Sequence, residues 1–435
     1  MRFAFPGELV IDNFAGGGGA STGIEEALGR PVDIAINHSP EAVAMHRANH
    51  PQTRHFCEDI WEVDPRDACG SKRVGLAWFS PDCTHFSKAK GTTPVKKSIR
   101  GLAWVVLLWA RTVKPRVIVL ENVEEFQTWG PIVDGHPDPL RKGETFREWL
   151  YSLEQLGYTV EFQTLVAANY GTPTTRKRLF LIARRDCGAL RWPEPTHGKG
   201  APESWRPASE IIDWSLPCPS IFSRKRPLAD ATMKRIATGI RRYVVDSPNP
   251  FVCAAKGKHL MCPLVVSHYG QSVGRSMKEP LPTVTAGGGG HHSLVAPFMM
   301  KYYGGVVGHR VDSRPIGTIT AWDHHALTTA FLTKFYGTST GSSCKAPLPT
   351  ITSGGEKGGG HLGLVMVRGQ PYQIVDIGMR MLQPHELFAA QGFPEGYNIT
   401  PEFNGKPLTK TAQISLAGNS VCPQVAKALV AANAR

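Results

Sequence analysis

The sequence has no long apolar run, no paired cysteine motif and no leader-like N-terminus, and each absence argues against a class of protein. No apolar run approaches the length that crosses a bilayer, so we expect no membrane association. The 9 cysteines are odd in number and form no Cys-x-x-Cys pair, which argues against a disulfide framework. Because the N-terminus also lacks a signal-peptide pattern, we expect a protein of the reducing cytoplasm.

The composition is that of a large globular protein with an uneven charge distribution. Its 435 residues, 41% hydrophobic and 20% charged, are enough for a large core and two domains. The net charge is +13, and residues 186–375 hold 21 Lys and Arg against 11 Asp and Glu. This middle segment therefore favours a polyanion partner such as nucleic acid, although many basic proteins have no such role.

Residues 1–185 alternate between strand and helix patterns. The first predicted strand, residues 8–14, leads into a glycine-rich turn and then a helix, which lets backbone approach a nucleotide-like ligand. The glycine spacing differs from the dinucleotide fingerprint, so we do not predict NAD binding. The second strand, residues 32–37, ends at His38, where an acidic residue would normally bind ribose hydroxyls.

Polar side chains follow the other predicted strands. Cys83 comes just after a buried strand, residues 74–79, and a basic loop follows that would favour its thiolate; alternatively it is an ordinary buried cysteine. Glu121 ends another buried strand, where a carboxylate can hold a proton. Asp59 is placed to accept from an exocyclic amine, or simply caps a turn. Arg176 and Arg178 share one face of a strand, unless they form a solvated charge cluster.

In combination these residues resemble the DNA (cytosine-5)-methyltransferase family of bacterial or phage type. The segment Asp12-Asn13-Phe14-Ala15-Gly16 with Gly18-Gly19 resembles the family's cofactor loop, and Cys83-Thr84-His85-Phe86-Ser87 its nucleophile loop. Glu121-Asn122-Val123 and Arg176-x-Arg178 resemble two further motifs, in the same order. Residues 376–394 and 412–421 resemble the last two, so the match extends towards the C-terminus.

The resemblance implies a Rossmann-like class I S-adenosylmethionine-dependent α/β domain that methylates cytosine in double-stranded DNA. It implies catalytic roles for Cys83, Glu121, Arg176 and Arg178. It implies cofactor-binding roles for Phe14, Gly16, Gly17, Gly19, His38, Asp59, Ile60, Asn419 and Val421.

Four residues depart from the family pattern. The family usually has Pro-Cys-Gln at the nucleophile, but here Asp82 and Thr84 flank Cys83. An acid beside a thiolate raises its pKa if the two side chains approach. The family usually has Gln in place of Thr174 and Glu in place of His38, which puts the rate and the cofactor affinity in question.

The basic middle segment contains a basic helix pattern followed by an internal repeat. Residues 282–286 recur at 317–321 and 349–352, with a weaker copy at 250–254, which predicts a repeated β-unit. By the resemblance this β-rich insert is a target-recognition domain, in which Lys301, Tyr303, Lys334 and Tyr336 suit phosphate contact and base stacking, or else repeat packing. The pairs His291-His292 and His324-His325 lack cysteine partners at zinc spacing, so we predict no metal.

The predicted domains are a catalytic domain of residues 1–185, a recognition domain of residues 186–375 and a catalytic return segment of residues 376–435. Two other functions stay open: methylation of tRNA cytosine on the same fold, and DNA binding with weak catalysis. The sequence leaves open whether a cognate restriction endonuclease accompanies the protein.

Overall fold

The structure is a computed structural model that describes residues 5–82, 101–133, 136–255, 260–269, 272–286, 291–301, 364–367 and 370–434. Cys83, Thr84, the second histidine pair and the later repeats lie outside the described residues. The chain divides into two compact units. The first unit is Met1–Ile212, Glu279–Gly290 and Gln383–Arg435, and the second is Asp213–Lys278 and His291–Leu382. The catalytic and recognition roles of the predicted domains stay a prediction.

The first unit is built on a mixed sheet that follows the predicted strands closely. Its strands up to residue 184, including a small hairpin, are β1 (Leu9–Asn13), β2 (Ile34–Ile36), β3 (Arg54–Phe56), β4 (Val74–Phe79), β5 (Val117–Asn122), β6 (Ile132–Val133), β7 (His136–Pro137), β8 (Thr159–Val166) and β9 (Lys177–Arg184). The main sheet has the order β3-β2-β1-β4-β5-β9-β8. Strand β9 runs antiparallel to both of its neighbours, and the other pairs are parallel.

Helices cover both faces of this sheet. The helices of the first unit are α1 (Gly19–Leu28), α2 (Pro40–Asn49), α3 (Pro65–Cys69), α4 (Trp104–Thr112), α5 (Glu144–Gln155), α7 (Pro384–Gln391), α8 (Lys410–Asn419) and α9 (Pro423–Asn433). Ile11 and Ala77 pack on the α4 and α5 side, whereas Val10 and Trp78 pack on the α1 and α9 side. This explains why β4 carries no polar side chain and β1 is apolar from Leu9 to Ile11, as parallel strands buried on both faces are.

The helix starts follow local sequence signals. Ser39 caps α2 by accepting from the Ala42 backbone amide, and Pro40 occupies the first helical position, as predicted. Gly18 and Gly29 cap the two ends of α1, both with left-handed backbone that glycine adopts without strain.

The second unit is an antiparallel sheet with one helix. Its described strands are β10 (Cys253–Ala254), β11 (Leu260–Met261), β12 (Leu264–Ser267), β13 (Arg275–Ser276), β14 (His292–Lys301), β15 (Leu364–Val367) and β16 (Gln370–Met381). The long strand β14 pairs with β11, β12 and β16. Helix α6 (Asp230–Ile240) turns Ile236 and Ile240 inward against this sheet, as its apolar spacing predicts.

The prediction of a repeated β-unit is wrong at residues 282–286, whereas the weaker copy at 250–254 contains β10, and the copies at 317–321 and 349–352 lie outside the described residues. Residues 282–286 belong to the first unit and form no strand; only Leu281, just before them, makes an isolated bridge, to Thr174. A second hairpin, β17 (Glu402–Phe403) and β18 (Lys406–Pro407), completes the first unit. Within the described residues we find no helix long and apolar enough to cross a membrane.

Candidate active site at the carboxyl edge of the sheet

The carboxyl ends of β1, β4 and β5 meet at one edge of the main sheet. The chain runs from β1 outward to β2 and β3 and then returns to β4 on the other side of β1, which makes a topological switch point. Open α/β sheets bind ligands at such a point. The backbone amide of Ser80, just after β4, donates to the Asn13 carbonyl at 3.2 Å, so the two strand ends are joined directly.

The glycine-rich turn after β1 has an unusual backbone. Phe14 has φ 62° although it carries a side chain, and Gly16 and Gly18 have φ 54° and 95°. A left-handed backbone conformation costs energy in a residue other than glycine, and such residues cluster at functional sites. At Gly19 a side chain would collide with the Val421 carbonyl and the Ser420 hydroxyl. Glycine there therefore lets the return segment approach the turn.

The predicted cofactor residues lie after neighbouring strands of the sheet. Phe14 follows β1, the exposed His38 follows β2, and Asp59 with the buried Ile60 follows β3. Asp59 Oδ1 accepts from the Trp61 backbone amide at 3.1 Å, so it does cap a turn. The roles of all three segments in cofactor binding stay a prediction.

The return segment after α8 supplies the remaining predicted cofactor residues. Asn419 is exposed at the end of α8. Val421 is buried on the α1 and α9 side of the main sheet. Gly17 packs close to Met45 and Leu416 rather than facing open space.

Several buried polar atoms at this edge have no hydrogen-bond partner among the described residues. They are both side-chain polar atoms of Asn13, the Ser420 hydroxyl and one carboxylate oxygen of Asp12. Leaving such a group unsatisfied costs about 1–3 kcal/mol, so these atoms are suited to a polar ligand. The turn and its surroundings therefore fit a polar molecule such as S-adenosylmethionine.

Glu121 is held between two arginines at the end of β5. Only 6% of the surface of Glu121 is exposed. The Arg178 Nε and Arg176 Nη2 atoms lie 3.2 and 3.8 Å from Glu121 Oε1. Within the described residues, however, this oxygen receives no hydrogen bond of normal geometry. The carboxyl group of Glu121 thus keeps hydrogen-bonding capacity beside two positively charged side chains.

Arg176 also connects three separate segments of the first unit. Its Nη1 donates to the Gly418 carbonyl at 2.9 Å and to the Val284 carbonyl at 3.3 Å. Residues 282–286 and the end of α8 are thereby fixed beside the start of β9. This position explains why residues 282–286 form no strand, since their neighbours are a side chain and a helix end.

Asn122 is part of the Glu121-Asn122-Val123 motif, but the sequence alone assigns it no role. It is buried, its Nδ2 donates to the Pro81 carbonyl at 3.3 Å, and its Oδ1 accepts from the Val123 amide at 2.8 Å. It therefore fixes the last residues before the predicted nucleophile loop. Its place directly after Glu121, at a strand end, was the signal for such a role.

The described part of the predicted nucleophile loop stops at Asp82, which is exposed. Cys83 and Thr84 lie outside it. Thr174 is fully buried, and its hydroxyl lies 3.4 Å from the Pro282 carbonyl. Among the described residues no group of three or more His, Cys, Asp or Glu is arranged to hold a metal.

The first half of the chain, which holds Cys83, Glu121, Arg176 and Arg178, is also the part that matches known proteins. Residues 9–205 match the family model for C-5 cytosine-specific DNA methylases. The type II methylase M.HgiDII of Herpetosiphon aurantiacus is 32% identical over 212 residues, which cover 47% of this chain and 53% of that protein. The type II methyltransferase M.SacI of Streptomyces achromogenes is 31% identical over 208 residues, covering 43% and 50%. The chain therefore spans about half the length of the curated relatives it matches.

A solved structure extends the comparison to nearly the whole chain. DNMT2 of Spodoptera frugiperda aligns with a TM-score of 0.52 and 12% identity, covering 97% of this chain and 98% of that one. At this identity the likeness shows the fold alone. With the strand order of the sheet, it confirms the predicted Rossmann-like α/β methyltransferase fold.

Proposed function

We propose that this C5-methyltransferase of bacterial type transfers a methyl group from S-adenosylmethionine to C5 of cytosine in a specific sequence of duplex DNA. The observation that carries the proposal is the setting of Glu121. It is buried between Arg176 and Arg178 at the end of β5, and β5 pairs with β4, the strand that leads to Cys83. A carboxyl group with a free oxygen can accept from the exocyclic amine of cytosine and, when it carries a proton, donate to N3.

The proposed reaction starts with the target base turned out of the duplex, which costs a few kcal/mol that protein contacts offset. The Cys83 thiolate adds to C6, and the electron pair of the C5–C6 double bond moves to C5 and into the ring. The Glu121 carboxyl group, carrying a proton, donates it to N3 and so stabilises the negative charge that develops in the ring. This combines covalent catalysis with positioning.

S-adenosylmethionine, when bound, supplies an electrophilic methyl group. After transfer, C5 loses its proton to a base, and the electron pair of that C–H bond reforms the C5–C6 double bond. The bond between C6 and the Cys83 sulfur breaks, so the thiolate is regenerated. Arg176 and Arg178 hold Glu121 in place and keep the strand ends together throughout.

The residues that would hold the cofactor are those of the turn and the neighbouring strand ends. Phe14, Gly16, Gly17 and Gly19 form the turn after β1. His38, Asp59, Ile60, Asn419 and Val421 are the further residues assigned to it by resemblance. Asn13 and Ser420, whose buried polar atoms have no partner among the described residues, join this set from the structure.

The second unit is proposed to recognise the DNA sequence. An exposed basic cluster, Arg224, Lys225 and Arg226, precedes α6, and Arg241 and Arg242 follow it, all on the surface. Such side chains suit phosphate contacts, which position a protein on the duplex. Of the residues named from the repeat, Tyr303, Lys334 and Tyr336 lie outside the described residues.

The test is transfer of tritium from labelled S-adenosylmethionine to duplex DNA of mixed sequence. We expect label with the wild type and with Cys187→Ser, a control at an exposed cysteine, and background with Cys83→Ser. Bisulfite sequencing of the product would then identify the site. Label in tRNA but not in DNA would support the RNA alternative. No label in either, with DNA binding retained, would support a binding protein.

A further inference from the structure

A chain of hydrogen bonds runs beneath the glycine-rich turn from half-buried His55 to buried Asp12. Ser21 Oγ lies 2.7 Å from Asp12 Oδ2, and His46 Nε2 lies 2.9 Å from Ser21 Oγ. His46 Nδ1 lies 2.8 Å from His55 Nε2. Four side chains from β1, α1, α2 and β3 are thus joined in one line.

The inner end of this chain is closed to water. Asp12 and Ser21 are 0% exposed and His46 is 1% exposed. The second carboxylate oxygen of Asp12, Oδ1, has no hydrogen-bond partner in the described part of the chain. Burying an ionised carboxylate in such a position costs free energy. This cost favours uptake of a proton by Asp12 through the chain of hydrogen bonds.

The distances are compatible with two complete hydrogen-bond arrangements. With Asp12 ionised, His55 Nε2–H donates to His46 Nδ1, His46 Nε2–H donates to Ser21, and the Ser21 hydroxyl donates to Asp12. With Asp12 protonated every bond is reversed: Asp12 donates to Ser21, Ser21 to His46 Nε2, and His46 Nδ1–H to His55 Nε2. One proton taken up at His55 Nδ1 and passed along three bonds converts the first arrangement into the second.

Other titratable and charged side chains surround this chain of hydrogen bonds. His50 lies 2.9 Å from Glu25 through Nδ1, and the centre of its ring lies 4.4 Å from that of His46, with the two ring planes tilted by 42°. Tyr397 donates to the Gly17 carbonyl at 2.6 Å. Arg47 lowers the pKa of His55 beyond the larger effect of burial.

The pKa shifts agree with a group that titrates near neutral pH. Burial raises the pKa of Asp12 from 3.8 to about 7, against smaller opposing effects of Ser21 and His50. Burial lowers the pKa of His46 well below its ordinary value, so the ring exchanges protons while staying neutral at rest.

We propose that Asp12 is a positioning residue whose ionisation, supplied with protons by His55, His46 and Ser21, sets how tightly the turn binds a cationic cofactor. Asp12 precedes the turn and Ser21 follows it in the first part of α1, so their hydrogen bond clamps both ends of residues 13–20. Ionised Asp12 places a negative charge under a turn that, by the proposed function, holds the sulfonium of S-adenosylmethionine. This inference rests on that function.

The test is calorimetric titration of the full chain with S-adenosylmethionine and S-adenosylhomocysteine between pH 5.5 and 8.5. The two ligands differ by a methyl group and one positive charge. We expect the affinity of the wild type for S-adenosylmethionine to rise on the order of tenfold as pH rises through about 7, and that for S-adenosylhomocysteine to rise much less. Asp12→Asn should flatten the profile, and the exposed control His136→Asn should leave it unchanged.

Ser21→Ala gives a second, independent outcome. It removes the hydrogen bond that stabilises ionised Asp12, so the midpoint of the profile should move to higher pH. An infrared titration of the protein without ligand should show a protonated carboxyl signal that disappears near pH 7 and is missing in Asp12→Asn. Identical profiles in wild type and Asp12→Asn would overturn the inference alone. Absence of S-adenosylmethionine binding at every pH would overturn the proposed function as well.

Discussion

At the scale of single residues, the site depends on charged side chains that are largely buried at the ends of strands. Glu121 sits at the end of β5 and its arginines enter β9, whose antiparallel direction brings Arg178 and Arg176 to the same edge. The sequence predicted all three residues, because each stands next to a buried strand. It did not predict that Arg176 also binds the Gly418 and Val284 carbonyls, since those partners are more than 100 residues away.

Replacing Glu121 by Gln should remove catalysis while leaving the fold intact. The amide keeps the shape but cannot transfer a proton to the ring, so we expect methyl transfer to fall by about 10²–10⁴-fold, the usual effect of an acid–base group. Affinity for S-adenosylmethionine should change little. Single-turnover methylation and cofactor titration measure the two effects separately.

The matched control for this change is Glu124→Gln. Glu124 is exposed and pairs with Lys177 at 2.9 Å, close in sequence to Glu121 but outside the buried edge. Surface ion pairs contribute little, so the control should keep full activity. Equal loss in both variants would indicate a general structural effect and contradict the role of Glu121.

The histidine chain beneath the turn was not predictable in the same way. His46 lies on α2 and His55 on β3, nine residues apart in the chain. Their connection to Asp12 depends on α2 packing against Ser21 at the start of α1, and no local pattern encodes that packing. Sequence reasoning finds residues at strand ends more easily than residues that meet through helix packing.

At the scale of elements, the predicted strands and helices of the first unit agree with the structure to within a few residues. Apolar runs bounded by polar or glycine residues set β1, β4 and β5, and a proline at the first helical position marks the start of α2 and of α9. The strand prediction was wrong at residues 282–286 because a repeated sequence does not always form a repeated strand. Their backbone instead lies against Arg176 and Gly418, and such long-range neighbours decide whether a short segment pairs.

The packing of α1 on α9 offers a test at this scale. A side chain on Gly23 would meet Ala426 Cβ at 2.7 Å and would collide with the Pro423 carbonyl. Alanine favours helices by about 1 kcal/mol over glycine, but overpacking costs about 1–3 kcal/mol. We therefore expect Gly23→Ala to lower the free energy of unfolding by about 1–2 kcal/mol, as measured by urea denaturation.

Gly101→Ala is the control for that prediction. A side chain at Gly101 meets nothing within 4 Å among the described residues, and its backbone is not left-handed. Its unfolding free energy should stay within about 0.5 kcal/mol of the wild type. A Gly23→Ala protein as stable as this control would show that the two helices separate without cost.

At the scale of the whole molecule, charge and architecture divide in a similar way along the chain. The segment that holds 21 basic against 11 acidic residues covers most of the second, β-rich unit. The sequence predicted a basic β-rich insert from composition and repeats. It did not predict the long pairing of β14 with β16, because their partners are separated by some 70 residues of chain.

The basic cluster of Arg224, Lys225 and Arg226 should contribute to DNA affinity through phosphate contacts. Changing all three to Gln should weaken binding to any duplex sequence. It should also reduce the slope of log affinity against log salt by up to about 3, since each lost phosphate contact counts for about 0.9. Fluorescence anisotropy over a range of salt concentrations measures the slope.

A control of equal charge change uses exposed basic residues of the first unit, Arg66, Lys72 and Arg73. If the contacts are local, this triple variant should change the slope far less than the first. Equal changes in both slopes would mean that net charge, and not the second unit, governs DNA binding.

The central claim, methylation of cytosine C5 in DNA through a covalent bond to Cys83, is tested most directly with duplex DNA in which 5-fluorocytosine replaces cytosine. Fluorine cannot leave C5 as a proton does, so the enzyme should stay bonded to C6 after methyl transfer. We predict a protein–DNA adduct that survives denaturation, requires S-adenosylmethionine and maps by mass spectrometry to Cys83. Methyl label in ordinary DNA without any such adduct, or an adduct at another residue, would contradict the account.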